Sequence, residues 1–157
     1  VEIKDNDSSN LHGSVKFEFF DVTADVGYRA YGKTLNEAFE NAALAMFEVM
    51  TDTTHVKQEV MKKITLKSED EEALLYDWLS ELLFLHDSEY LVFSRFTVEI
   101  SDGIEDGEKV FILEASAEGQ EFDPDVHERR DEVKAATYHM MKIQKKNGYT
   151  LQVILDI

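Results

Sequence analysis

Two dipeptides, Asp106-Gly107 and Asn147-Gly148, limit the folds open to this chain more than any other feature. Asp-Gly and Asn-Gly accept the left-handed backbone that a tight hairpin turn demands. Apolar alternation flanks the first: Phe96, Val98 and Ile100 precede it, and Val110 and Ile112 resume after it, with Leu113 behind them. Leu151, Val153 and Leu155 follow the second. The latter half of the chain is therefore committed to antiparallel strands. Upstream of the second turn, Val133, Ala135, Thr137, His139, Met141 and Ile143 share the parity of one strand face. That parity makes a hydrogen-bonded core histidine at position 139 a stronger reading than a catalytic one.

The first half mixes strands with helices. Phe17 to Phe20 begins as a strand, Asp21 to Asp25 breaks it, and alternation over Val26, Tyr28 and Ala30 carries a second strand to Gly32. Thr34 and Glu37 have the spacing of a capping box, and Leu35, Ala38, Phe39, Ala42, Met46 and Val49 follow at helical period, which predicts a helix over 34–50. Residues 59–66 form a further strand. Ser68 and Glu71 repeat the capping spacing, and the acids at 69–72 suit a helix start, where the dipole favours negative charge. Leu74, Leu75, Trp78, Leu79, Leu82 and Leu85 then spread apolar surface around much of the helix, so the second helix should be the more deeply buried. The expected architecture is α+β and two-layered, with two helices packed on one face of a mixed, mostly antiparallel sheet.

A length of 157 residues suits one domain. Residues 1–16 read as a mobile lead and 17–157 as a single domain. The formal net charge of −17 would repel phosphate backbones, which disfavours direct nucleic-acid binding. No apolar run approaches a membrane span, and the opening residues lack the basic start and apolar stretch of a signal peptide. With no cysteine there is neither a disulfide framework nor a thiolate metal site, and the expected compartment is the cytoplasm.

Familiar chemical motifs are missing: no glycine-rich phosphate loop, no two-histidine zinc helix, no nucleophile elbow. Residues 102–113 do not make a calcium loop, because Ile104 and Leu113 occupy ligand positions. His86 fits a helix end, His55 and His127 fall in loops, and His12 lies in the lead. Two carboxylates stand out. Asp25 opens a strand, and Asp156 lies on the polar parity of the last one, beside Ile157 and, if the chain ends there, its terminal carboxylate. If the first and last strands are neighbours, these oxygens could converge on calcium, magnesium or manganese. Otherwise they are exposed acids in an acidic protein.

Three ordered segments carry a family resemblance. Thr23-Ala24-Asp25-Val26-Gly27, with Gly32-Lys33-Thr34-Leu35 and Glu37-Ala38-Phe39, resembles the opening signature of the archease family. Residues 132–139, Glu-Val-Lys-Ala-Ala-Thr-Tyr-His, resemble its second signature, and Asp156-Ile157 its usual close. One departure is Val22, where the family typically carries histidine. The resemblance implies a non-enzymatic accessory protein of the GTP-dependent tRNA-splicing RNA ligase, promoting guanylylation of the ligase's active-site histidine and repeated turnover. It also implies a divalent-cation site at Asp25, Asp156 and Ile157, with Lys134 and His139 as candidate partner contacts. Two rival readings stand beside it: a general chaperone or modulator of RNA-modifying enzymes such as tRNA methyltransferases, and a metal-dependent hydrolase using Asp25, Asp156 and His139.

Overall fold

A computed structural model describes residues 15–157, in which seven strands and two helices follow one another along the chain. The order is β1 (Phe17–Val22), β2 (Asp25–Gly32), α1 (Leu35–Met50), a short 3-10 turn (Thr53–His55), β3 (Val60–Ser68), α2 (Glu71–Glu89), β4 (Leu91–Glu105), β5 (Glu108–Glu121), β6 (Ala135–Lys145) and β7 (Tyr149–Asp156). The expected lead over 1–16, with His12, lies outside the described residues except for Val15 and Lys16.

The α+β class and the dominance of antiparallel pairing hold. The strands, however, divide between two sheets instead of forming one mixed sheet: β1-β2-β7-β6 and β3-β5-β4, with every pairing antiparallel. Both predicted hairpins are present. Asp106 and Gly107 have φ of 53° and 79°, Asn147 and Gly148 of 55° and 106°, the left-handed conformations such turns require. At Gly148 a side chain is also excluded sterically, since a Cβ would sit 2.9 Å from the Gly32 carbonyl oxygen.

Each helix touches strands of both sheets. That placement reverses the expected order of burial. Ten residues of α1 are buried against seven of α2, because Ala38, Ala42, Ala43 and Ala45 are small enough to let strands approach α1 on several sides. On α2, Glu72, Asp87 and Glu89 keep part of the circumference in water. Trp78, Tyr28, Phe39, Phe47 and Phe93 fill the centre. The polar atoms of two of these rings find α1 carbonyls: Trp78 Nε1 donates to Phe39 O at 3.1 Å and the Tyr28 hydroxyl to Ala42 O at 2.8 Å.

The helix starts also differ in detail from their sequence signatures. Thr34 Oγ1 accepts from the Glu37 amide as expected, but the Glu37 carboxylate takes the Lys33 amide at 2.6 Å instead of that of Thr34. The cap of α2 is Asp70, accepting from Ala73 N at 2.7 Å. Ser68 is still in β3 and donates to Asp77 at 2.8 Å. No helix among the described residues is long and apolar enough to cross a membrane.

Candidate functional site

β7 lies between β2 and β6, and this order assembles the site. In the β2–β7 ladder Asp25 is the direct partner of Asp156, 131 positions away in sequence, so the two side chains leave the same face of the sheet. Direct partners in an antiparallel pair hold their Cβ atoms about 4.5–5.5 Å apart. Val22 of β1 pairs with Asp25, and Ala135 of β6 with Asp156, so the row across the sheet reads Val22, Asp25, Asp156, Ala135. The opposite face of β2 and β7 carries Tyr28, Ala30, Leu151, Val153 and Leu155, all buried. The carboxylates therefore project from the face that does not carry this core.

Local geometry fixes both acids. Asp25 follows a two-residue turn in which Ala24 takes a left-handed φ of 63°. Gly27 lets the β1 side chains close over the sheet, since a Cβ there would meet the Phe20 ring at 2.5 Å and Val22 at 2.9 Å. The carbonyl of Asp156 accepts from the Lys134 amide at 2.8 Å, which ties the end of β7 to the start of β6. Asp25 is half-buried and Asp156 exposed, and Ile157 packs partly against the core.

The donor set is made of hard oxygens. Among the described residues, no three His, Cys, Asp or Glu side chains gather closely enough to hold a metal ion by themselves. Two opposed carboxylates with Ile157 beside them suit a cation such as calcium, magnesium or manganese that takes its remaining ligands from water or a partner. Val22 brings methyl groups to the row and no ligand.

The other predicted residues are placed as follows. Lys134 is exposed next to Asp156 through its backbone. His139 is not a core residue; it is exposed, and the parity argument fails because the β6–β7 register shifts between Thr137 and Lys142. Met140 adopts a left-handed φ of 56° within that bulge, and Ala136, not Ala135, is the buried residue nearby. Among the described residues the buried histidine is His127, whose Nδ1 accepts from Asp123 N at 2.9 Å and whose Nε2 meets Gln120 Oε1 at 2.8 Å. His86 lies in the last turn of α2, the helix end expected for it, with its Nδ1 2.8 Å from the Leu91 carbonyl oxygen.

Sequence reasoning missed the residues that hold the bulge. Buried Gln152 accepts from Arg29 Nε at 3.0 Å and donates to Met140 O at 2.9 Å. The Tyr138 ring stacks on Tyr76 of α2 with centroids 4.3 Å apart and planes inclined by 10°. A cleft of about 680 Å³ opens elsewhere, where the segment after β5 crosses α1, lined by Met50, His86, Phe122, Arg129 and Glu132. None of the Asp25 row lines it.

Comparison with known proteins gives consistent matches. The model of the Archease protein family matches residues 17–157. Protein archease of Methanothermobacter thermautotrophicus is 55% identical over 142 residues, covering 90% of this chain and 98% of the relative. Protein archease of Sulfurisphaera tokodaii is 53% identical over 143 residues, covering 90% and 99%. The solution structure of Methanobacterium thermoautotrophicum protein 1598 aligns with a TM-score of 0.75 at 50% identity, over 90% of this chain and 99% of that one.

Proposed function

Because this chain belongs to the archease family, we propose that it is an activating accessory protein of a GTP-dependent tRNA-splicing RNA ligase, promoting guanylylation of the ligase's active-site histidine and its multiple turnover. The observation that supports this reading is the direct cross-strand pairing of Asp25 with Asp156. It turns two acids from opposite ends of the domain into one oxygen-donor cluster on an accessible face. Asp25, Asp156 and Ile157, through its backbone oxygen or a terminal carboxylate, would hold a divalent cation. A bound divalent cation supplies positive charge that nucleotidyl transfer requires. The protein's own contribution is to position the carboxylates rigidly at strand ends and to leave coordination positions open toward a partner. The neighbours in the row, Val22 and Ala135, offer no nucleophile or general base, so the reading is of a helper and not of a hydrolase.

Like charges directly opposite one another in a ladder are destabilising. Asp25→Asn and Asp156→Asn should therefore each leave the cation-free protein as stable or more so, by roughly 0.2–1 kcal/mol. A divalent cation should raise the melting temperature of the parent and not of the variants, as binding to the folded state alone requires. Both variants should lose stimulation of ligase guanylylation, followed as the covalent GMP adduct. Normal stimulation by either one refutes the cation-cluster reading.

A further inference from the structure

Half-buried aromatic rings on this surface are repeatedly covered by a cation from the same chain. Arg29 lies 4.6 Å from the Phe20 centroid, Lys109 5.1 Å from Phe111, Arg129 4.8 Å from Phe122 and Lys145 5.8 Å from Tyr149. The Tyr76–Tyr138 stack has no such cover among the described residues, although Tyr138 is 54% exposed. Beside it Met140 is 51% exposed, and His139 is exposed as well. An apolar side chain held in a left-handed conformation is costly, by about 1–2 kcal/mol, and such strain gathers where a surface is built for contact. Here Gln152 and Thr137 hold it: Gln152 binds the Met140 carbonyl, and Thr137 Oγ1 accepts from the His139 amide at 3.3 Å.

The rim of this patch is acidic. Partial desolvation, then the charges of Asp77, Asp70 and Glu69, raise the pKa of the Tyr138 phenol. Glu69 is exposed and forms no ion pair with a described residue, whereas Asp70 caps α2 and Asp77 takes the Ser68 hydroxyl. Exposed rings ringed by carboxylates repel phosphate and another copy of this acidic chain, and they attract a guanidinium, which stacks on an aromatic face while pairing with the acids around it.

We propose that the Tyr76–Tyr138 stack, with Met140 beside it and Glu69, Asp70 and Asp77 at its rim, is the docking seat for an arginine-bearing basic segment of the chain's protein partner. This inference rests on the ligase-accessory reading, and it separates gripping the partner from the work of the Asp25 row. Tyr138 stands three residues along β6 from Ala135 and so leaves the opposite face of the strand, toward α2; because β6 is the edge of its sheet, a partner that wraps that edge could engage both the seat and the Asp25 row.

The test is titration calorimetry of the purified cognate ligase with the parent, Tyr138→Ala, Tyr138→Phe, Glu69→Lys and Asp25→Ala chains, alongside guanylylation measured against chain concentration. Loss of the ring should raise Kd by about tenfold or more, with circular dichroism unchanged and stimulation recovered at saturating concentration. Tyr138→Phe keeps the ring and should bind within about twofold of the parent, while Glu69→Lys should weaken binding and flatten its salt dependence. Asp25→Ala should bind yet fail to stimulate. The seat is overturned if Tyr138→Ala and Glu69→Lys bind within about twofold of the parent, or if Tyr138→Phe is as impaired as the alanine variant. It is also overturned if the chain alone sediments as a dimer that Tyr138→Ala dissociates, since a second copy would then be the occupant. A parent chain that neither binds nor stimulates the ligase removes the functional reading itself, and this inference with it.

Discussion

Glu40 accepts a hydrogen bond from the Val98 amide at 2.9 Å, and Asn36, one helical turn earlier on α1, accepts from Ile100 N at 2.9 Å. β4 is an edge strand, so these two side chains occupy backbone donors that would otherwise be open to pairing. Burial is the main cause that raises the Glu40 pKa, the Val98 bond opposes it, and Glu37 adds to it. A carboxyl whose folded pKa lies above its unfolded value binds protons more tightly when folded. Its contribution therefore improves as pH falls from the raised value toward the ordinary 4.5, and is lost as pH rises through that window. Glu40→Gln keeps an acceptor for Val98 without the desolvated charge. It should melt at or above the parent at neutral pH, with the difference closing as pH approaches 4.5. Glu40→Ala should instead cost roughly 1 kcal/mol at both pH values, because the Val98 amide loses its partner.

At the scale of elements, the C-terminal end of α1 is finished by a crossing segment and not by its own residues. Arg130 N donates to Met50 O at 3.0 Å and Asp131 N to Val49 O at 3.1 Å. The Arg130 guanidinium reaches both the carbonyl and the carboxylate of Glu48 at 2.8 Å. A cation and three donors at a helix C-terminus answer its free carbonyls and its dipole. Arg130→Ala should lower stability by roughly 1–2 kcal/mol, read from chemical denaturation, and raise amide exchange in the last turn of α1. No local signal connected residue 130 to residue 48, and the same holds for other features hidden from sequence. The extent of α1 and both hairpin turns were legible because propensity, capping and turn chemistry act over a few residues. His139 was misplaced because one left-handed Met140 resets the alternation, and Ser68 was taken for a cap that Asp70 supplies two residues later. The partition into two sheets, and the meeting of Asp25 with Asp156, depend on pairings between distant strands. A resemblance in the motifs pointed to those acids, but only the register set them face to face.

For the molecule as a whole, a charge of −17 on 157 residues means that self-repulsion opposes the compact state. Ion pairs such as Lys62–Glu89 and Lys67–Glu105 lie at the surface and offset little of it. Raising sodium chloride from about 20 to about 300 mM shortens the screening length from roughly 20 Å to roughly 6 Å, and the melting temperature should rise. Binding to the proposed ligase partner should weaken over the same range. A melting temperature that falls with salt would show that attractive pairs, not repulsion, dominate the surface.

The position of β7 also bears on how the molecule is made. On the ribosome β1, β2, both helices and the whole β3-β5-β4 sheet emerge before Tyr149 does, yet β2 and β6 acquire their shared neighbour only when that strand arrives. Until then β2 and β6 each lack a pairing partner, Tyr28 lacks Val153 beside it, and one wall of the interior is missing. A nascent chain stalled short of that strand offers open strands to quality-control machinery, and Asp25 meets Asp156 only when β7 closes the sheet.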